Sequence, residues 1–488
     1  MPSMTASKKG SNLILLLSCW IGMLAPDLSG SGPDWDSADI DSARAELKRL
    51  RIERAERRER LDDPSENILK DFSGSATFEA VYRVGSDGSR DFDLWLWLDA
   101  EVGDDRKDPV TAAVSGRFDW DLNGNENRGG TIQPEGSAFE DYNAIEDDRL
   151  TEFVYTAYAD FNRIGPLDKL RLGRQFHDGL TGGHFDGAQI FARPGKNNSL
   201  SIYGGVPVDY YKLTGDGAYS SDRIYGSSIV YRDLENLLLT VDVQGIRDRT
   251  DQYGTHDDYR AVLGLTYHFK ENFRASVIEN IISGQQRDLN GTLAYWDTEN
   301  DLNVTVNYVW MPETIDDIAY HYTPFTDIMG PLKGYQLFRV MAVKGLGDHF
   351  EVGADVSFRE LTDSSDETLV NPEYSRTQAS ITLLDLPIED LTTTLHYEYW
   401  NTTDDDQFSL GGDIRQRLGR SHVVEAGSYF SKFKYRQFTY VDTENVQTYF
   451  VQWRWAFARN LTFQVNGEVE DAEEDTYNTL SMAVTLRF

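Results

Sequence analysis

Two serine–histidine juxtapositions, Ser421 beside His422 and Ser380 upstream of His396, supply the residue types of a nucleophile and its base. Hydrolysis through either would need an orienting third group within hydrogen-bond reach, and no motif fixes one, so no catalytic residue is expected. His177 and His184 flank a glycine-containing stretch with Asp178 and Asp186 nearby, a donor set that zinc accepts. Such spacing in a loop does not preset a tetrahedral site, and no metal is assigned. The run Asp404-Asp405-Asp406 and the acids Asp363, Asp366 and Glu367 carry the oxygens that calcium uses, but they read as solvated loop tips.

Arg171 and Arg174 stand out because they share one tract in a chain with few basic residues on its strand tracts. They suit a cationic ladder that orients anionic solutes, or ordinary ion pairs with neighbouring acids. In a strand they fall on opposite faces unless the strand bulges. The whole chain carries 81 acidic against 47 basic residues, a net charge of −34, which argues against a nucleic-acid partner. Its one cysteine, Cys19, lies in the first apolar segment. Disulfides, thiolate-bound zinc, iron–sulfur clusters and haem attached through a C-x-x-C-H motif therefore drop out, and no cofactor is expected.

The elements that would position these residues begin after a leader. Lys8 and Lys9 precede an apolar core from Leu13 to Ala25, with small residues at Ser29, Gly30 and Ser31, so residues 1–30 read as a signal peptide. A lipoprotein box at Leu16 to Cys19 fits less well, since the apolar run continues past Cys19. Residues 31–72 hold a charged helix, Ser37 to Asp62, whose thin apolar stripe (Leu47, Leu50, Leu61) suits a solvated helix, followed by a connector.

Residues 73–488 repeat one pattern. Between Thr479 and Phe488, Leu480, Met482, Val484, Leu486 and Phe488 share one parity, and Ser481, Ala483, Thr485 and Arg487 the other. Period two over a whole segment means a strand with one apolar and one polar face. The same alternation sets Phe350, Val352, Ala354, Val356 and Phe358 against Glu351, Asp355, Ser357 and Arg359, and Leu461, Phe463 and Val465 against Thr462, Gln464 and Asn466. Most segments run about nine to twelve residues, the length a tilted strand needs to cross a bilayer. Aromatics such as Tyr397, Tyr399 and Trp400, or Tyr308 and Trp310, end the apolar faces as interfacial girdles would.

Connections alternate. Links such as Pro194 to Asn198, Lys270 to Asn272 and Gly345 to Asp348 are short, while the intervening ones, including Asp121 to Leu150, Pro207 to Arg223 and Pro312 to Gly334, are mostly longer. The expected fold is an all-β, antiparallel, up-and-down transmembrane barrel of about 22 strands, within bounds of about 18 and 24. The link parity places both termini on the short-turn side.

On these residues the chain resembles the outer-membrane β-barrels of Gram-negative bacteria, the porin superfamily. Phe488, preceded by apolar residues at alternate positions, is similar to the signal that the barrel-assembly machinery reads. The stretch Leu170 to Gln175, followed by Gly183 to Ala188, is similar to a segment of porins and of the alginate-export family. The resemblance implies an outer-membrane location with periplasmic termini, and lipid and lipopolysaccharide as partners. It also implies a water-filled lumen passing polar or charged solutes, lined by Arg171, Arg174, Glu351, Asp355, Arg359, Gln464 and Asn466. Two alternatives remain: a sheath around a periplasmic multihaem cytochrome, and a polysaccharide export pore. The lumen stopper would be an inward-folded loop, the helix of residues 38–62 or a second protein.

Overall fold

A computed structural model describes residues 72–86, 88, 90–122, 150–208, 222–250, 254–270, 272–312, 333–367, 372–402, 406–433, 444–472 and 476–488. The expected signal peptide and charged helix, the acids Asp404 and Asp405, and most of the long links lie outside the described residues.

The first eight strands are β1 (Phe72–Gly85), β2 (Arg90–Val102), β3 (Val110–Asp121), β4 (Leu150–Asn162), β5 (Lys169–Phe176), β6 (His184–Ala192), β7 (Ser199–Pro207) and β8 (Arg223–Tyr231). Next come β9 (Leu237–Thr250), β10 (Gly254–Lys270), β11 (Phe273–Ile282), β12 (Gln285–Asp297), β13 (Leu302–Met311), β14 (Tyr335–Gly345) and β15 (Phe350–Leu361). The last seven are β16 (Tyr374–Leu384), β17 (Leu391–Thr402), β18 (Asp406–Leu418), β19 (His422–Phe433), β20 (Glu444–Ala458), β21 (Leu461–Ala472) and β22 (Thr476–Arg487). All belong to one 22-stranded sheet, the expected strand number.

Each strand pairs antiparallel with its sequence neighbours, and β1 closes on β22 from Ser75↔Arg487 to Gly85↔Tyr477. Closure leaves no open edge, the condition for a sheet whose outer face meets hydrocarbon. At the seam the Gly74 and Phe488 backbones exchange two hydrogen bonds, of 2.9 and 3.1 Å. The Phe72 and Phe488 rings stack there at 4.8 Å.

Polarity is inverted relative to a water-soluble barrel. Leu395 is 57% exposed, Phe358 53% and Val451 52%, all on the outer parity, whereas Asp93, Gln189 and Asp242 are 0% exposed on the inner one. An oily exterior around a polar interior is the arrangement a lipid-embedded barrel requires. Aromatic rings gather on the outside of β19 and β20 near the rim that holds Gly74 and Phe488, termed here the terminal rim. There His422 stacks on Trp453 and Trp455 at 6.0 and 5.6 Å, and Trp455 meets Phe457 edge-on at 4.9 Å. Trp400, expected in such a girdle, faces inward instead, donating to Glu398 beneath the Arg376 guanidinium. It follows Tyr399 by one residue, and one residue in a strand changes the face.

The longest links, 122–149, 208–222 and 312–334, all leave the rim opposite the terminal one. The expected alternation is nevertheless incomplete, because that rim also carries tight turns. Ser283 and Gly284 alone join β11 to β12, with φ of 48° and 83°. Two consecutive positive φ values close a hairpin in either rim, so the fold does not dictate loop length.

Candidate functional site: the lumenal wall

The lumen is built from alternate residues of every strand. Glu351, Asp355 and Arg359 lie on the parity opposite to the exposed Phe350, Val352 and Phe358. Across β14 and β15, Arg339 grips Asp355 through Nε at 3.0 and 2.8 Å, while Arg359 lies over the Tyr335 ring at 4.5 Å. On β20 to β22, Asn466 accepts from Gln452 and Gln464 at 2.8 and 3.1 Å and donates to Ser481 at 2.9 Å. These residues form two polar patches of the inner surface.

Arg171 joins that surface. Its guanidinium binds both oxygens of Asp160, at 2.7 and 3.0 Å, and lies 3.7 Å from the Tyr158 ring centroid. The expectation that Arg174 lines the pore is corrected. It shares the parity of exposed Leu172 and Phe176 and pairs with Asp186, whose side chain is 49% exposed. The β5–β6 register passes Gly173 without a shift, so no bulge turns Arg174 inward. Its role is to cover an incomplete ladder. β4 pairs with β5 only from Ala157 to Asn162, and Arg174 and His184 reach the carbonyls of Val154 and Tyr155 just beyond, at 3.3 and 2.7 Å. Such satisfaction is obligatory for backbone facing lipid.

Between β5 and β6, residues 177–183 turn into the lumen. The Thr181 backbone N–H donates to Asp242 on β9 at 3.1 Å, and Arg260 on β10 donates to the Thr181 carbonyl at 3.0 Å. His177 stacks on Tyr203 at 4.2 Å, with Nδ1 3.1 Å from Gln189 and Nε2 3.6 Å from Asp242. Beneath this turn Phe185, Tyr203 and Ile224 make a small apolar core. Cross-strand register aligns Gly173, Gly187 and Gly205 beside it. A Cβ on Gly187 would strike the Gly204 carbonyl, and one on Gly205 the Asp186 carbonyl. The strand backbones therefore approach too closely here for a side chain, which glycine permits. His177 and His184 serve different neighbours and form no common donor set.

A second stretch of wall is aromatic and basic. Arg117 sits between Trp97 and Phe153, 4.8 Å from each ring centroid, with Trp95 at 5.7 Å. Next to it Asp91, Asp93 and Asp121 bring carboxylate oxygens within 4.8 Å of one another. Arg83 lies 2.6 Å from Asp91 and 3.6 Å from Asp93, so a guanidinium compensates the charge.

The serine–histidine candidates do not assemble. Ser380 faces His396 across β16 and β17, but its Oγ lies against Gly353 on the other side, while His396 approaches Asp413 at 3.4 Å. His422 accepts from Trp453 in the outer girdle. Sequence reasoning missed the inward turn, although Asp242 and Gln244 between apolar residues of β9 marked that wall as having polar partners.

No protein-family model matches the chain, and no curated protein matches it. Among solved structures, it is similar to OpdK of Pseudomonas aeruginosa, crystallised with vanillate, at 11% identity and a TM-score of 0.40, over 86% of this chain and 100% of that one. OccAB1 of Acinetobacter baumannii gives 12% and 0.38, over 87% and 99%. The translocation pore of the P pilus usher PapC gives 8% and 0.48, over 86% and 99%. Functional conclusions rest on the chain's own geometry.

Proposed function

We propose that this chain forms a water-filled channel through the outer membrane of a Gram-negative cell and gives passage to polar or charged solutes. The observation that carries the reading is the inverted polarity of a closed sheet, oily outside and hydrogen-bonding within. At 16 to 18 strands such barrels already enclose an aqueous channel, and this wall has 22. Placing the terminal rim in the periplasm sends the long links outward and leaves Phe488 at the seam where assembly machinery would read it. The surplus of 81 acids over 47 bases favours cations.

Planar-bilayer recording of the purified full chain tests the reading. Stepwise ohmic openings are expected, with a reversal potential in a potassium chloride gradient that shows a modest cation preference. A barrel that is folded yet electrically silent overturns the proposal, and copurification of a haem protein with the silent barrel would assign it to the electron-conduit sheath instead.

A further inference from the structure

Along the lumenal wall, aromatic rings come with a cation of the chain itself. Arg117 lies over Trp97 and Phe153 at 4.8 Å, Arg171 over Tyr158 at 3.7 Å, Arg359 over Tyr335 at 4.5 Å and Arg376 over Trp400 at 4.8 Å. Such pairs form because the negative face of a ring attracts positive charge. Phe450, on the inner parity of β20, departs from this pattern. No guanidinium or ammonium lies over it among the described residues; it stacks on Tyr429 of β19, centroids 5.6 Å apart and planes 6° from parallel.

Two glycines make room for the pair. The Tyr429 ring fills the space that a Cβ on Gly411 would take, and the Phe450 ring that of a Cβ on Gly427, so each ring leans over the strand before its own. Both side chains are half-buried, backed by the wall and partly open to the lumen. Register then sets a carboxylate on either side. One row across β17 to β21 runs Thr394, Asp413, Gly427, Phe450, Glu468, with no lysine or arginine in it. Asp413 accepts from the Tyr429 hydroxyl at 3.3 Å and stands 3.4 Å from His396. Glu468, directly opposite Phe450, is exposed, and its carboxylate makes no hydrogen bond or ion pair among the described residues. In the next row toward the terminal rim, Arg415 stands 3.9 Å from its own acid, Glu425. The ring row lies at mid-height, Gly427 being the sixth of the 12 residues of β19.

We propose that Phe450 and Tyr429, with Asp413 and Glu468 beside them, bind an organic ammonium, a solute whose positive charge sits on an alkylated nitrogen. A ring face attracts such a cation, and its alkyl groups give up little hydration on settling there. Potassium or plain ammonium, strongly hydrated, gains from the carboxylates alone. The two carboxylates of the row offset the charge of the ligand. Lipid headgroups can carry the same group, but a site at mid-height inside the lumen favours a dissolved one. The assignment rests on the channel reading only for the ligand's access.

Saturation-transfer NMR titration of the full chain, folded in maltoside detergent, with tetramethylammonium tests the site without requiring conduction. Saturable binding is expected, with tert-butanol, neutral and of similar shape, giving none and ammonium chloride competing poorly. Phe450→Leu keeps the apolar volume and removes the ring, and should weaken binding about two- to fivefold, the scale of one cation–ring contact. Glu468→Gln, at an exposed position where folding is not at risk, should weaken it in the same direction. Glu389→Gln, an exposed acid in a link on the terminal rim, should leave it unchanged. Equal affinity in maltoside and in phosphatidylcholine nanodiscs supports a dissolved ligand; loss of binding in phosphatidylcholine overturns that in favour of a lipid headgroup. Absence of saturable binding, equal competition by ammonium, or binding insensitive to Phe450→Leu and Glu468→Gln overturns the site. Intact conductance in that case leaves the channel reading standing, whereas a silent barrel that still binds tetramethylammonium overturns the channel alone.

Discussion

Leu395 and Thr394 are adjacent in β17 yet should respond to the same substitution in opposite ways. Leu395 is the fifth of the 12 residues of β17 and is 57% exposed, which puts it near mid-bilayer on the outer face. Arginine there would carry its charge into hydrocarbon at a cost of about 2–4 kcal/mol, roughly 30- to 700-fold in the folding equilibrium. Thr394 points inward and stands opposite Asp413 on β18. Arginine there gains a carboxylate partner and water, and the change should stay within about 1 kcal/mol. Guanidinium titration of each variant in phospholipid vesicles, followed by tryptophan fluorescence and by heat-modifiable electrophoretic mobility, measures both quantities. Equal costs, or a larger cost for Thr394→Arg, would refute the assignment of lipid to the Leu395 face and with it the lumen.

Phe488→Ser should lower the folded yield after insertion, because it removes a stacked pair worth about 0.5–1.5 kcal/mol from the closing seam; heat-modifiable mobility reads the yield. Gly187→Val should impair folding more than Gly347→Val, since a side chain at 187 meets the Gly204 backbone whereas one at 347 meets nothing, though φ there is +70°; the same mobility assay ranks them. Asp104, in the link after β2, is held below the usual carboxylate range by the Lys107 ammonium and the Arg106 backbone N–H. A lowered carboxyl value stabilises the turn above the unfolded value and is lost as pH falls through the folded one. Amide exchange at Lys107 and Asp108 should therefore accelerate below about pH 4, and Asp104→Asn should abolish that dependence.

The strand pattern was open to inspection in the sequence because period two is a local property. Thr479 to Phe488 displays it without reference to any other residue, and the seam of β1 and β22 then follows from closure. Arg171 and Arg174 were legible in the same way, since a spacing of three places them on opposite faces, and only Arg171 has the inner parity. Trp400 escaped because aromaticity drew attention where parity with Glu398 should have decided its side. The inward turn at 177–183 depends on Asp242 and Arg260, far along the chain, and no local pattern announces such a contact.

Strand number sets the circumference of a barrel, not its bore. Where Gly173, Gly187 and Gly205 line up across β5 to β7, the inner face beside them is packed with Phe185, Tyr203 and Ile224. This core and the inward turn at 177–183, which meets Asp242 and Arg260, occupy part of the interior. In the proposed channel, conductance scaled from an empty cylinder of 22 strands would overstate the current, and removing that inward turn would raise throughput without adding a strand.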